Sequence, residues 1–89
     1  MRSLEAVIVN KLGLHARPAA KVSQLAGRFH SEVWMSKGAR RINAKSIMGV
    51  MMLAAARGTT LVIEATGPDE DQAAQALADL IASGFGEEI

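Results

Sequence analysis

The chain has 89 residues, 49% of them apolar, with ten basic against nine acidic side chains for a formal net charge of +1, and no cysteine. This length supplies one domain, residues 1–89, with a single core; it excludes a second domain or a deep enclosed cleft and points to a small surface site. Balanced charge excludes a global field for nucleic acid or an anionic membrane, and the missing thiols exclude disulfides and thiolate metal sites, leaving His15 and His30 as the only imidazole ligands.

The N-terminal "MRSLEAVIVN" has too short an apolar run for a secretory signal, and nowhere do eighteen uncharged apolar residues follow one another, so no membrane insertion is expected and a cytoplasmic protein is read. Its β-branched and aliphatic run from Leu4 to Val9 predicts a first strand. Ala19, Val22, Leu25 and Ala26 recur at helical spacing before Gly27, which predicts a first helix starting anywhere from Ala16 to Pro18. "SEVWMSKGARRIN" reads as two short strands around a Lys37-Gly38 turn, with Trp34 toward an uncovered sheet face. Ser46 is placed to cap a second helix, "IMGVMMLAAA", ending near Arg57-Gly58. In "TTLVIEAT" the alternation of Leu61, Ile63 and Ala65 predicts a strand with one buried face. After Gly67-Pro68, the acidic residues Asp69, Glu70 and Asp71 suit the start of a third helix, whose stripe is Ala73, Ala74, Leu77, Leu80 and Ile81 and which Gly84 closes. The final "FGEEI" is expected to fray.

The order β, α, β, β, α, β, α, with one apolar stripe per helix, predicts an α+β fold: one four-stranded antiparallel sheet with three helices on one face.

The segment "GLHARPAA" at 13–20 carries the chemistry. At a helix start the first N–H groups lack intrahelical acceptors, and the macrodipole adds roughly half a positive charge there, so an anion is favoured. Pro18 fits such a start, because the N–H it lacks would be unpaired anyway. His15 at the cap, the backbone N–H groups of Ala16 and Arg17, and the Arg17 guanidinium converge on a volume suited to a phosphoryl group. A neutral imidazole is a nucleophile near pH 7, and the amides and guanidinium accept the phosphoryl charge. Contacts of about 0.3–1 kcal/mol each hold such a group without trapping it, which suits a carrier better than a hydrolase.

"NKLGLHARPAAKV" at 10–22 and "NAKSIMGVM" at 43–51 resemble the two signature segments of the HPr family, the histidine-containing phosphocarriers of the bacterial phosphoenolpyruvate-dependent phosphotransferase system. The resemblance covers essentially the whole chain and implies the family's open-faced β-sandwich. It implies that His15 is phosphorylated on Nδ1 by enzyme I and passes the group to a histidine of EIIA-type proteins, with Arg17 beside the phosphoryl group. The protein is then a stoichiometric carrier and not an enzyme, and no cofactor or metal is expected. Ser46 matches the serine modified by HPr kinase/phosphorylase in many members; as a helix cap it also stands where a phosphate is tolerated. The family docks partners through its second helix and the start of its first, which assigns Ala20, Ile47, Met48 and Met51 to the docking face; helix two is apolar on more sides than it can bury.

"NKLGLHARPA" and "EATGPDEDQAA…SGFGEE" resemble the nitrogen-related branch, NPr, whereas "KSIMGVM" resembles carbon-regulatory members; sugar uptake, nitrogen-linked regulation, or both stay open. The alternative from a different class is a regulatory interaction module acting through the helix-two face without phosphoryl transfer. Nucleic-acid binding through Lys37, Arg40, Arg41 and Lys45 lacks interleaved aromatics and is set aside. Two histidines at this spacing are weak metal ligands. A monomer is the expected form.

Overall fold

In the computed structural model, which describes residues 1–88, the strand Thr60–Thr66 buries Leu61, Ile63 and Ala65 and turns Val62 and Glu64 toward the other side. This alternation sets the two faces of the sheet. The elements are β1 (Arg2–Val7), α1 (Ala16–Ala26), β2 (Glu32–Lys37), β3 (Arg40–Asn43), α2 (Ile47–Met52), β4 (Thr60–Thr66) and α3 (Glu70–Ala82), followed by a 3₁₀ turn at Gly84–Gly86. The strands lie in the order β1-β4-β2-β3, every neighbouring pair antiparallel, so β4 takes a central place although it comes last in sequence. Helical alanines, Ala19 and Ala26 in α1 and Ala73 and Ala74 in α3, are fully buried and let the backbones approach closely. Larger side chains fill what remains: Leu77 and Ile81 from α3, Val22 from α1 and Met35 from β2 are all buried. Each such large apolar side chain contributes about 1.5–3 kcal/mol.

The four-stranded antiparallel sheet and its three helices agree with the order read from sequence. The other face of the sheet is uncovered, and Trp34 lies on it half-buried, paired with Glu64 and Asn43 across the ladder. Arg41 closes over this ring, its guanidinium carbon 4.4 Å from the centroid and Nε 3.1 Å from Glu64 Oε1.

Three expectations need correcting. The first strand runs from Arg2 to Val7 and not from Leu4 to Val9; beyond Val7 the chain still pairs, through Ile8 N–H to Thr59 O at 2.9 Å and Gly58 N–H to Ile8 O at 2.8 Å, outside the regular ladder. The second helix stops at Met52, well short of Arg57. Hydrophobicity alone could not locate that end, because the stop is made by partners from the hairpin. Arg40 donates to Met52 O at 2.7 Å, and Lys37 to Leu53 O at 3.2 Å and Ala54 O at 3.4 Å, placing cations on the final carbonyls. Ala54 then takes φ 48°, a left-handed conformation that no further helical turn could follow, and Leu53 and Ala55 turn into the core.

The third correction concerns the C-terminal end. Phe85 is buried with 1% exposure, and Lys21 Nζ donates to its carbonyl. Lys11 N–H donates to Glu88 O at 3.0 Å. Thus residues 85–88 of the stretch expected to fray are pinned against α1 and the loop before it; Ile89 lies outside the described residues.

Asp69 joins the β4–α3 corner to the segment after α1. Its carboxylate does not cap α3 but accepts from Ser31 Oγ, Ser31 N at 2.9 Å and His30 N at 3.0 Å. The Ser31 hydroxyl, foremost among these donors, pulls the Asp69 pKa down from 3.8 to about 2. A carboxyl depressed on folding stabilises the native state above its unfolded pKa, and that contribution disappears as pH falls through the folded value. Asp69→Ala is therefore expected to lower Tm at pH 7, with the gap to the parent closing between about pH 4 and pH 2. Thermal melts across that range check it; a gap independent of pH would assign the loss to packing.

Candidate functional site

Between β1 and α1 the backbone is fixed before any side-chain chemistry begins. Gly13 has φ 69°, and a Cβ there would stand 2.5 Å from the Ala55 carbonyl oxygen, so only glycine fits. The next residue, Leu14, buries its side chain and donates its N–H to that same oxygen at 2.9 Å. The loop is thereby bolted to the stretch just beyond α2.

His15 follows as the N-cap of α1, extended at φ −90° and ψ −167°, with its N–H to Gly13 O at 3.1 Å. The helix starts at Ala16, the earliest position the sequence allowed, so Arg17 is helical despite preceding Pro18. His15 does not cap with its side chain. Among the described residues the N–H groups of Ala16 and Arg17 have no backbone acceptor outside the helix, and as the first two helical residues they have none within it.

The imidazole turns the other way, toward the C-terminal segment. His15 Nε2 lies 3.0 Å from Glu87 Oε1 and 2.9 Å from Oε2, with the His15 side chain 38% and the Glu87 side chain 15% exposed. The His15 ring, then Asn10 and the nearby charge of Arg17, hold the Glu87 carboxyl below its ordinary range, against an opposing push from burial. A carboxylate accepts only, so Nε2 carries a proton, and in the neutral ring the lone pair then lies on Nδ1. Behind this pair stands Asn10, wholly buried, whose Nδ2 donates to Glu87 Oε1 at 3.0 Å and to Gly13 O at 2.9 Å. A cleft of about 490 Å³ opens in front, walled by Lys11, Leu12, His15, Arg17, Lys21 and Glu87 among others. A larger depression of about 610 Å³ lies on the outer side of α3, by Arg2, Asp71, Gln75 and Asp79, and is lined by no histidine.

The structure therefore brings His15 and Arg17 to one cleft with the helix start, as the sequence suggested, and adds Glu87 and Asn10, which the sequence reading missed. The overlooked signal was Phe85 between Gly84 and Gly86: an apolar anchor in a segment whose glycines permit a tight reversal, both at positive φ.

Ser46 caps α2, its Oγ accepting Gly49 N–H at 3.0 Å while the residue stays exposed. Of the assigned docking residues, Ile47, Met48 and Met51 are exposed and Ala20 is half-buried, while Val50 alone anchors α2 in the core. Met52, at 58% exposure, adds to the apolar side chains that α2 exposes, and Leu12, at 72%, is an exposed apolar side chain on the wall of the His15 cleft. The four cations weighed as a nucleic-acid patch are engaged within the chain: Lys37 and Arg40 on the end of α2, Arg41 on Trp34 and Glu64, and Lys45 on the Phe29 carbonyl at 3.0 Å. His30 is exposed, and no group of three potential metal ligands occurs among the described residues. No helix among them is long and apolar enough to cross a membrane.

Comparison with known proteins gives a consistent set of likenesses. The family model described as "PTS HPr component phosphorylation site" matches residues 3–83. A phosphocarrier protein HPr of Cupriavidus necator is 58% identical over 87 residues, 98% of each chain. A crystal structure of HPr from Thermoanaerobacter tengcongensis superposes with a TM-score of 0.94 at 48% identity over the whole of both chains. An HPr dimer from the same organism aligns at 0.78 and 48% identity, over 98% of this chain and 100% of that one.

Proposed function

Because the chain belongs to the HPr family of phosphocarrier proteins of the phosphotransferase system, we propose that His15 is the residue that carries the phosphoryl group. The Nδ1 lone pair attacks the phosphorus held on a histidine of phosphorylated enzyme I. A new N–P bond forms as the donor's N–P bond breaks, and the bonding electron pair returns to the donor ring. The proton on His15 Nε2 stays where it is, against Glu87. Discharge onto a histidine of an EIIA-type protein is the same exchange run forward to the next ring. Throughout, Arg17 and the N–H groups of Ala16 and Arg17 receive the charge on the phosphoryl oxygens, without water or a metal taking part.

The observation that supports this reading most strongly is the pairing of Nε2 with Glu87 at an uncapped helix start, because it leaves the other ring nitrogen as the nucleophile. The carrier is read as a monomer working in the cytoplasm, a stoichiometric carrier and not an enzyme, with His15, Arg17, Asn10 and Glu87 all supplied by the same chain. Sugar uptake, nitrogen-linked regulation, or both take the phosphoryl group onward. Ser46 is the position for an HPr kinase/phosphorylase: exposed and at the start of α2.

Partners dock on the exposed side of α2 and the start of α1, through Ala20, Ile47, Met48 and Met51. Incubation with enzyme I and phosphoenolpyruvate is expected to give one acid-labile phosphoryl group per chain, transferable to an EIIA-type acceptor; no phosphoprotein would overturn the reading. In the same assay Met48→Glu, which places a charge in the centre of the apolar surface, is expected to slow loading at least about tenfold. An unchanged rate would remove α2 from the docking face while leaving His15 in place.

A further inference from the structure

Asn10 stands out among buried side chains. It is fully enclosed, both hydrogens of its amide are used, and its Oδ1 is the one buried side-chain polar atom with no partner among the described residues. Burying an amide and leaving its oxygen unpaired is unfavourable, a cost that its two hydrogen bonds must offset and that an apolar residue would not carry. What the amide does accomplish is geometric. Its two N–H groups face two acceptors, the Gly13 carbonyl and Glu87 Oε1; turned over, the amide would set its oxygen against both of them. The Gly13 oxygen also accepts the N–H of His15, and the Glu87 carboxylate also holds the His15 ring. One planar group thus sets the distance between the backbone that starts α1 and the carboxylate that grips the imidazole.

We propose that Asn10 is a positioning residue for phosphoryl transfer: acting through Glu87, it holds the His15 ring with Nε2 on the carboxylate and Nδ1 left free for the phosphoryl group. This rests on the reading of His15 as the carrier. Lys11, the next residue, reinforces the arrangement by donating its N–H to Glu88 O, so the loop grips the C-terminal segment at the carboxylate and at the residue after it. Without Asn10, Glu87 has only the partly exposed ring to hold it, and the ring has only a carboxylate free to swing. Small displacements of a nucleophile from its line of attack lower rates steeply.

The test combines ring spectroscopy with a double-mutant cycle. In the parent, proton NMR of the nitrogen-15-labelled full chain is expected to show a His15 Nε2–H resonance protected from exchange, which is lost in Glu87→Ala and lost or strongly broadened in Asn10→Ala. Loading by enzyme I is expected to fall roughly tenfold in Asn10→Ala and in Glu87→Ala, and no more than about twofold further in the double variant. Equal losses on Asn10→Ala with and without Glu87, or an unaltered Nε2–H resonance in Asn10→Ala, would overturn the proposal and reduce Asn10 to a support for the loop. Should Asn10→Ala not fold, Glu87→Ala decides: one Asn10 Nδ2 proton must shift and lose its protection, and an unshifted amide would overturn the coupling. The resonances are read without any phosphoryl donor, so their failure is distinct from a failure of His15 to be loaded.

Discussion

His15→Ala is expected to abolish phosphoprotein formation from enzyme I and phosphoenolpyruvate while leaving the fold in place. The imidazole is partly exposed and makes no side-chain cap to α1; its only hydrogen-bonding partner among the described residues is Glu87. Its loss therefore removes the nucleophile without opening the core. Arg17→Ala provides the contrast. The Ala16 and Arg17 N–H groups survive that change, because they belong to the backbone, so transfer is expected to slow by about 10²-fold and not to vanish. Acid-labile phosphate per chain, with circular dichroism as the control for folding, separates the two. Residual loading of His15→Ala at the parental level would place the acceptor elsewhere.

Phe85→Ala is expected to produce the largest loss of stability of any single truncation at the C-terminal end, about 3–5 kcal/mol. The ring is 1% exposed, and the residue sits at φ 60° between two glycines also at positive φ, a backbone path held because the side chain is buried. A domain of this size has only about 5–15 kcal/mol in total, so the denaturation midpoint should move far. The consequence reaches the site as well. Phe85 fixes the segment from which Glu87 approaches, and once released that segment no longer holds Nε2 of His15. Urea melts and the His15 ring resonances measure both effects; a loss under 1 kcal/mol with the Glu87 contact intact would show that Lys11, Lys21 and Asn10 suffice to hold the segment.

The same residue shows where sequence reasoning ended. Strands such as Thr60–Thr66 were legible because alternation is a local property, and the cap at Ser46 because it lies next to its own helix. The placing of His15 and Arg17 together at a helix start was legible because such a start gathers neighbouring residues. The missed parts all depend on long-range partners. Nothing local announces that Arg40 and Lys37 end α2, or that Glu87 returns over 72 positions of sequence to meet His15. Terminal position suggested fraying, yet a single buried aromatic flanked by glycines outweighed it.

The functional site is thus a composite of two kinds of information. The loop from Asn10 to Pro18 sets out the proposed nucleophile and its donors in one continuous stretch, and the C-terminal segment supplies the carboxylate that, in this proposal, chooses between the two ring nitrogens. That choice is the centre of the mechanism. It is tested most directly by phosphorus–nitrogen coupling in the nitrogen-15-labelled, freshly loaded protein. Phosphorus coupled to Nδ1 of His15, with a proton retained on Nε2, is the expected result; phosphorus on Nε2 would mean that Glu87 had been displaced by the cargo and would contradict the role assigned to it.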